Sequence, residues 1–156
     1  MCIYHLAGHL IRRVNQISVA TFLDSMQQAG IQLTPVQYSA LATIQSVPGI
    51  DQATLAGRIA YDRATLGKVI DRLEQRALVE RSVSPKDRRS KCLSLSPLGQ
   101  QILAQAQPLV ESAQPKMMAG LTEGEQTQLL ALLDKIAISG NKQSRAPLVQ
   151  NAPQSD

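Results

Sequence analysis

The 156-residue sequence predicts a mainly α-helical chain with one small β wing, a winged helix-turn-helix carrying helical extensions at both ends. Three observations predict it. Apolar residues recur three and four apart through most of the chain. Two short capped helices follow each other within residues 51–77. After Ala77 the period switches once to alternation, on either side of a polar, turn-forming segment.

Ile3, Ala7, Leu10, Val14 and Ile17 form one apolar stripe, widened by Leu6, Ile11 and Phe22, so residues 3–28 are predicted to be helical until Gly30 stops them. Thr34 is placed to cap the next helix, with Pro35 at its first position and Gln37 closing a capping box. Its buried side is Leu41 and Ile44, with Val36, Ala40 and Val47 beside them, and Pro48-Gly49 ends it. Asp51 caps a short third helix holding Leu55, Ala56 and Ile59. Asp62 caps a fourth that buries Leu66, Val69, Ile70, Leu73 and Ala77 and turns Thr65, Lys68, Arg72 and Gln75 outward. Two such helices joined by a tight turn fit a helix-turn-helix unit.

Val79, Arg81 and Val83 alternate, as do Leu93 and Leu95, and the segment 84–90 between them is polar or turn-forming. That is a hairpin with a basic tip. Ser96-Pro97 restarts a helix with the stripe Leu98, Ile102, Leu103, Ala106, Leu109, Val110 and Ala113, in which Pro108 is expected to produce a kink. Thr122 and Glu125 box the start of a last helix with Leu129, Leu132, Leu133 and Ile136. The reading is therefore one winged-helix domain over residues 1–139. It has terminal helices at 3–28 and 97–138, a central lobe at 34–96, and a disordered tail at 140–156.

Composition excludes several classes. A hydrophobic fraction of 44% and a charged fraction of 18% are ordinary globular values, against disorder, collagen-like or rod-like chains. No apolar run approaches the ~18 residues of a membrane span, and no signal peptide is seen, so a cytoplasmic protein without membrane partners is expected. Cys2 and Cys92 give neither a disulfide framework nor a metal spacing. There is no glycine-rich phosphate loop, no G-x-S-x-G, no H-E-x-x-H and no His beyond residue 9, so no enzyme is expected.

Charge is concentrated. Ten basic and five acidic residues lie between Arg58 and Lys91, giving +5 in a chain whose total is +4. A basic segment in a near-neutral protein suggests a polyanion partner, nucleic acid first, although a solvated face alone has the same composition.

The chain resembles the MarR family of bacterial transcription regulators. The resemblance rests on Leu33-Thr34-Pro35-Val36-Gln37-Tyr38, on Gln52-Ala53-Thr54-Leu55-Ala56 and on Thr65 through Glu74. It continues in Asp87-Arg88-Arg89-Ser90-Lys91 and Leu95-Ser96-Pro97-Leu98-Gly99, and covers residues 3–138. Leu10-Ile11-Arg12-Arg13 and residues 48–54 are further similar to repressors of aromatic-acid catabolism, nicotinate breakdown among them. The resemblance implies a homodimer held by the first, fifth and sixth helices, a recognition helix in the major groove and a wing over the minor groove. Paired recognition helices about one turn apart imply a palindromic double-stranded DNA operator.

The expected DNA-contacting set is Arg63, Thr65, Lys68 and Arg72 on the helix, with Lys86, Asp87, Arg88 and Arg89 on the wing. Asp87, two residues before Arg89, can orient that guanidinium for a narrow minor groove. A charged hairpin tip and a solvated helix face are the plainer readings. His5, His9, Arg12 and Gln16 share one stripe of the first helix. His9, Arg12, Arg13 and Gln16, with Tyr38 on the second helix, are the expected ligand set. The ligand would be a small aromatic acid, because guanidinium groups hold carboxylates bidentately. Arg12 is the favoured clamp and Arg13 a structural or cross-dimer partner, because adjacent helical residues point ~100° apart. The alternatives for the stripe are a polar outer face or a His pair at zinc spacing, but no other ligand lies nearby in sequence, so no metal or cofactor is expected. Redox sensing through Cys2, or constitutive DNA binding without an effector, are the alternative modes of regulation.

Overall fold

The computed structural model describes residues 2–83 and 91–149. The chain runs α1 (Ala7–Gln28), α2 (Pro35–Ser46), β1 (Ile50–Asp51), α3 (Gln52–Arg58), α4 (Arg63–Gln75), β2 (Val79–Val83), β3 (Lys91–Leu95), α5 (Pro97–Met117) and α6 (Glu123–Gly140). The expected winged helix-turn-helix is present.

Helix starts follow local chemistry. Thr34 accepts from the Gln37 amide while the Gln37 side chain accepts from the Thr34 amide. Asp51, Asp62 and Ser96 each accept from the amide three residues on, and Thr122 and Glu125 make a second reciprocal box. These bonds satisfy amides that the helix itself leaves without partners.

Helix ends are less uniform. Gly30 closes α1 at φ 70°, its amide on the Gln27 carbonyl and the Ile31 amide on that of Met26. The same pair of bonds closes α3 and α4, yet there the left-handed residue is alanine, Ala60 at φ 51° and Ala77 at φ 55°. A Cβ in that conformation costs roughly 1–2 kcal/mol, offset here by the packing of the residues that follow, Tyr61 against the core and Leu78 within it.

The sheet is antiparallel in the order β1-β3-β2, with Ile50 opposite Leu93 and Val79 opposite Leu95. The core lies between this sheet and α2, α3 and α4. Leu41, Ile44, Leu55, Leu66, Ile70, Leu73, Val79 and Leu93 are buried there. Gly99, in the first turn of α5, crosses the chain at Leu78. A Cβ there would sit 2.0 Å from the Leu78 carbonyl oxygen, so only glycine permits the crossing.

The structure departs from the sequence expectations or adds to them at several points, Ala77 among them: α4 ends at Gln75 and Ala77 is exposed instead of buried. The first helix begins at Ala7, because Leu6 is extended and separates it from a single 3-10 turn at Ile3–His5. β1 has no sequence counterpart, since two residues carry no period and are held only by β3. α5 runs through Pro108, where a kink is expected, and through a second internal proline, Pro115. Of the segment expected as a disordered tail, residues 140–149 are described and residues 150–156 lie outside the described residues: Gly140 ends α6, Asn141–Gln143 form a 3-10 turn, and Val149 reaches α3. The Asn141 side chain closes this polar segment on itself by hydrogen bonds with the Leu148 backbone.

The terminal helices are different in kind. α6 buries none of its residues, and the N-terminal half of α1 is also unburied. Leu10, Ile11, Val14 and Ile17 on α1, and Leu130, Leu132, Leu133, Ile136 and Ile138 on α6, are exposed. Leu129 is half-buried. Among the described residues no helix is long and apolar enough to cross a membrane.

Candidate nucleic-acid interface and effector cavity

The site begins with α4. Its apolar residues Leu66, Ile70 and Leu73 are fully buried. At 100° per residue Thr65, Lys68 and Arg72 fall together on the opposite side, and all three are exposed. Arg63 is exposed as well, but it begins the helix on the other side, nearly opposite Arg72 in projection. The structure therefore unites three of the four expected helix residues and sets Arg63 apart at the N-terminus. Thr65 is not idle: its hydroxyl and its amide both donate to the Asp62 carboxylate at 2.9 Å. Those bonds, the amide's first, hold the Asp62 carboxyl below its ordinary range. Lys86, Asp87, Arg88 and Arg89, the expected wing contacts, lie outside the described residues.

Sequence reasoning missed what joins wing to helix. Arg81 on β2 lies 2.6 Å from Asp71 and 3.0 Å from Glu74, both on α4. Its side chain is only 18% exposed, so water competes less than on an open surface. One guanidinium thereby fixes the angle between hairpin and helix and neutralises two carboxylates on the helix meant for a polyanion. An acidic pair spaced three apart, followed by an Arg on the next strand, was the available signal. Arg76, the C-cap of α4, donates to the Gln32 carbonyl at 2.6 Å and ties that end of the helix to the α1–α2 loop as well.

A cavity of about 280 Å3 opens between α1, α2 and α5, with Asn15, Ser18, Phe22, Tyr38, Val110 and Met117 in its wall. Tyr38 packs edge-on against Phe22, ring centroids 6.1 Å apart. Partial burial, and then the nearby Glu111 carboxylate, push its phenol above the usual value, so it stays a neutral hydrogen-bonding group at physiological pH. Tyr38 alone of the five expected ligand residues lines this cavity. His9, Arg12, Arg13 and Gln16 lie on the N-terminal part of α1. His9 packs edge-on against Tyr4, Arg12 donates to the Gln16 side chain at 2.9 Å, and Arg13 is exposed. The polar wall residues Asn15 and Ser18 were missed, although short polar side chains three apart on an apolar helix were a visible sign of a wet face.

Cys2 is exposed and Cys92 half-buried on β3, both unpaired. Among the described residues no three His, Cys, Asp or Glu side chains gather as a metal site would require.

Residues 33–91 match the MarR family. Over 104 residues the chain is 36% identical to the regulatory protein proposed for the hcr operon of Thauera aromatica, a stretch covering 67% of this chain and 63% of that protein. It is 33% identical over 129 residues to the transcriptional repressor NicR of Pseudomonas putida, covering 83% of this chain and 80% of the repressor. Among solved structures, it superposes on BpsR of Bordetella bronchiseptica, whose DNA binding is regulated by 6-hydroxynicotinic acid. The TM-score is 0.82 and the identity 28%, over 88% of this chain and 96% of that one. These relatives are transcription regulators rather than enzymes. With its winged helix-turn-helix and its basic, outward-facing α4, the chain belongs to the MarR family of DNA-binding transcription regulators.

Proposed function

We propose that the protein is a dimeric repressor, released from a palindromic operator when a small aromatic carboxylate occupies the cavity between α1, α2 and α5. The observation that carries this reading is the cavity's position. It joins α1 and α5, terminal helices beyond the reading head, to α2, against which α3 and α4 pack. A ligand there touches both bodies at once and can favour one spacing of the reading heads over another. The kinship with NicR, and with BpsR, which answers to 6-hydroxynicotinic acid, supports an aromatic acid as ligand class.

In this reading Thr65, Lys68 and Arg72 face the major groove, Arg63 meets phosphate at the groove edge, and Lys86, Asp87, Arg88 and Arg89 form the wing contact. Tyr38 and Phe22 hold the aromatic ring. Arg12 lies one helical turn before the wall residue Asn15 and supplies the carboxylate clamp, while His9, Arg13 and Gln16 complete that stripe. The apolar faces of α1 and α6 supply the dimer contact, since a lone chain would leave a large hydrophobic surface in water. The coupling needed for release is modest, about 1–3 kcal/mol.

The test is calorimetry and DNA release with a panel of hydroxybenzoates and hydroxynicotinates on wild type, Tyr38→Phe and Arg12→Ala. The expected result is binding by wild type and weakened binding by both variants. If no acid binds while DNA still does, the protein is a constitutive DNA binder. If Arg12→Ala responds like wild type, the clamp lies elsewhere.

A further inference from the structure

The C-terminal segment that composition marks as disordered is attached to the reading head. After α6, the Asn141 side chain donates to the Leu148 carbonyl at 2.8 Å and accepts from the Leu148 amide at 2.7 Å. These two bonds close residues 141–148 into a compact loop. The chain then continues to Val149, whose amide donates to the Gly57 carbonyl of α3 at 2.8 Å. Gly57 suits this contact, because a Cβ built on it would lie 3.1 Å from the Val149 side chain. Ser144 and Ala146 share a cavity wall with Ala60, in the turn between α3 and α4. The loop is thus held at two places, on its own base and on α3, and it borders the turn that leads into α4.

Its charge is one-sided. Residues 141–149 contain Lys142 and Arg145 and no acid. Both side chains are exposed. Arg145 lies between the two residues that face Ala60, near enough to Asp62 for its charge to help hold that carboxyl ionised. Asp62 caps the N-terminus of α4 and Arg63 begins it. In a helix-turn-helix that end of the second helix enters the major groove, with phosphates on both sides of the opening.

We propose that this C-terminal loop is a further DNA-contacting element, in which Arg145, assisted by Lys142, binds a backbone phosphate at the groove edge beside the N-terminus of α4. The proposal rests on the reading of α4 as the groove-entering helix. It makes the loop a source of affinity without base preference, since phosphate contacts position a protein but carry no sequence information directly. Asn141 and the Gly57–Val149 contact are then positioning groups that keep the cation at the reading head instead of leaving it on a loose tail.

The experiment measures binding of the full chain to a labelled duplex selected by the wild-type protein from a random library, and to a shuffled duplex, across a salt series. Each phosphate contact contributes about 0.9 to the slope of log affinity against log salt. Arg145→Ala is expected to lower the slope by about one on both duplexes, with thermal unfolding unchanged, and Arg145→Lys to restore it. Asn141→Ala, which frees the loop while keeping its charges, is expected to lower the slope in part. An unchanged slope for Arg145→Ala overturns the proposal, as does a change confined to melting temperature, which would mark a structural partner of Asp62. If the wild-type chain selects no duplex at all, the underlying reading of α4 fails instead, so the two failures are distinguishable.

Discussion

Helices α4 and α6 are both amphipathic, and the chain treats them in opposite ways. α4 has its apolar side sealed against α2, α3 and the sheet, and presents cations outward. α6 has its apolar side in water. Ile70 on α4 is 0% exposed and Ile136 on α6 is 59% exposed, although both belong to regular apolar stripes. The central lobe closes its core within one chain, while the proposed dimer would supply the surface that α6 lacks. The same helical periodicity therefore accompanies two outcomes, an apolar side sealed within the chain and an apolar side left exposed on it.

That contrast can be broken most directly in the core. Ile70→Ala is expected to cost about 2–5 kcal/mol, the range for emptying a fully buried site, read as a drop in melting temperature that does not depend on protein concentration. The paired change Leu133→Asp with Ile136→Asp should do the reverse. It is expected to leave the lobe's near-ultraviolet signal intact while sedimentation shifts to the monomer and melting loses its concentration dependence. A double variant that still sediments as a dimer would show that α6 does not form the interface.

Smaller effects sharpen the comparison at the DNA-facing side. Arg89→Ala and Arg72→Ala are each expected to weaken binding to a selected duplex by about 1–3 kcal/mol, the scale of one good groove contact. Arg72→Ala should not change stability appreciably, because Arg72 is exposed. A loss of fold in Arg72→Ala would place that residue in the lobe's packing instead of on its reading face.

The smallest effect concerns a cap. Partial burial opposes ionisation of Asp51, but hydrogen bonds from the Thr54 hydroxyl and amide outweigh it, so its carboxyl lies below the ordinary value. A carboxyl lowered in the folded state adds stability above its unfolded value and loses it as pH falls through the folded one. Asp51→Ala is expected to cost about 1 kcal/mol at neutral pH. Asp51→Asn, which still caps but does not titrate, should cost less there and flatten the acid limb of the stability curve below about pH 4. Equal loss for both variants at every pH would remove the charge from the argument.

Much of this molecule is legible without coordinates because its decisive interactions are local. The caps at Thr34, Asp51, Asp62, Ser96 and Thr122 span three residues each, so residue type and spacing suffice to place them. The outward set Thr65, Lys68 and Arg72 follows from helical periodicity for the same reason. Leu129 is a partial exception: it belongs to the apolar stripe of α6 yet is half-buried, and only a neighbour can decide that. The alanines at positions 60 and 77 carry no helix-stop signal of their own. Their left-handed turns accompany the docking of the residues that follow them, Tyr61 against the core and Leu78 within it.

What the sequence by itself determined, then, was the succession of helices and wing strands, the capped starts of α2 to α6, most of the buried side of the lobe helices and the basic character of the outward face of α4. The tertiary structure alone decided the two-residue β1 strand, the Arg81 link to Asp71 and Glu74, the cavity beside Tyr38, and the docking of residues 141–149 on α3. The physical reason is range. A cap or a stripe is set by bonds and rotations within a few residues, whereas Arg81 pairs across ten positions and Val149 meets Gly57 across more than half the chain. Contacts of that kind leave no period in the sequence, because their partners are brought together only when the core between them has closed.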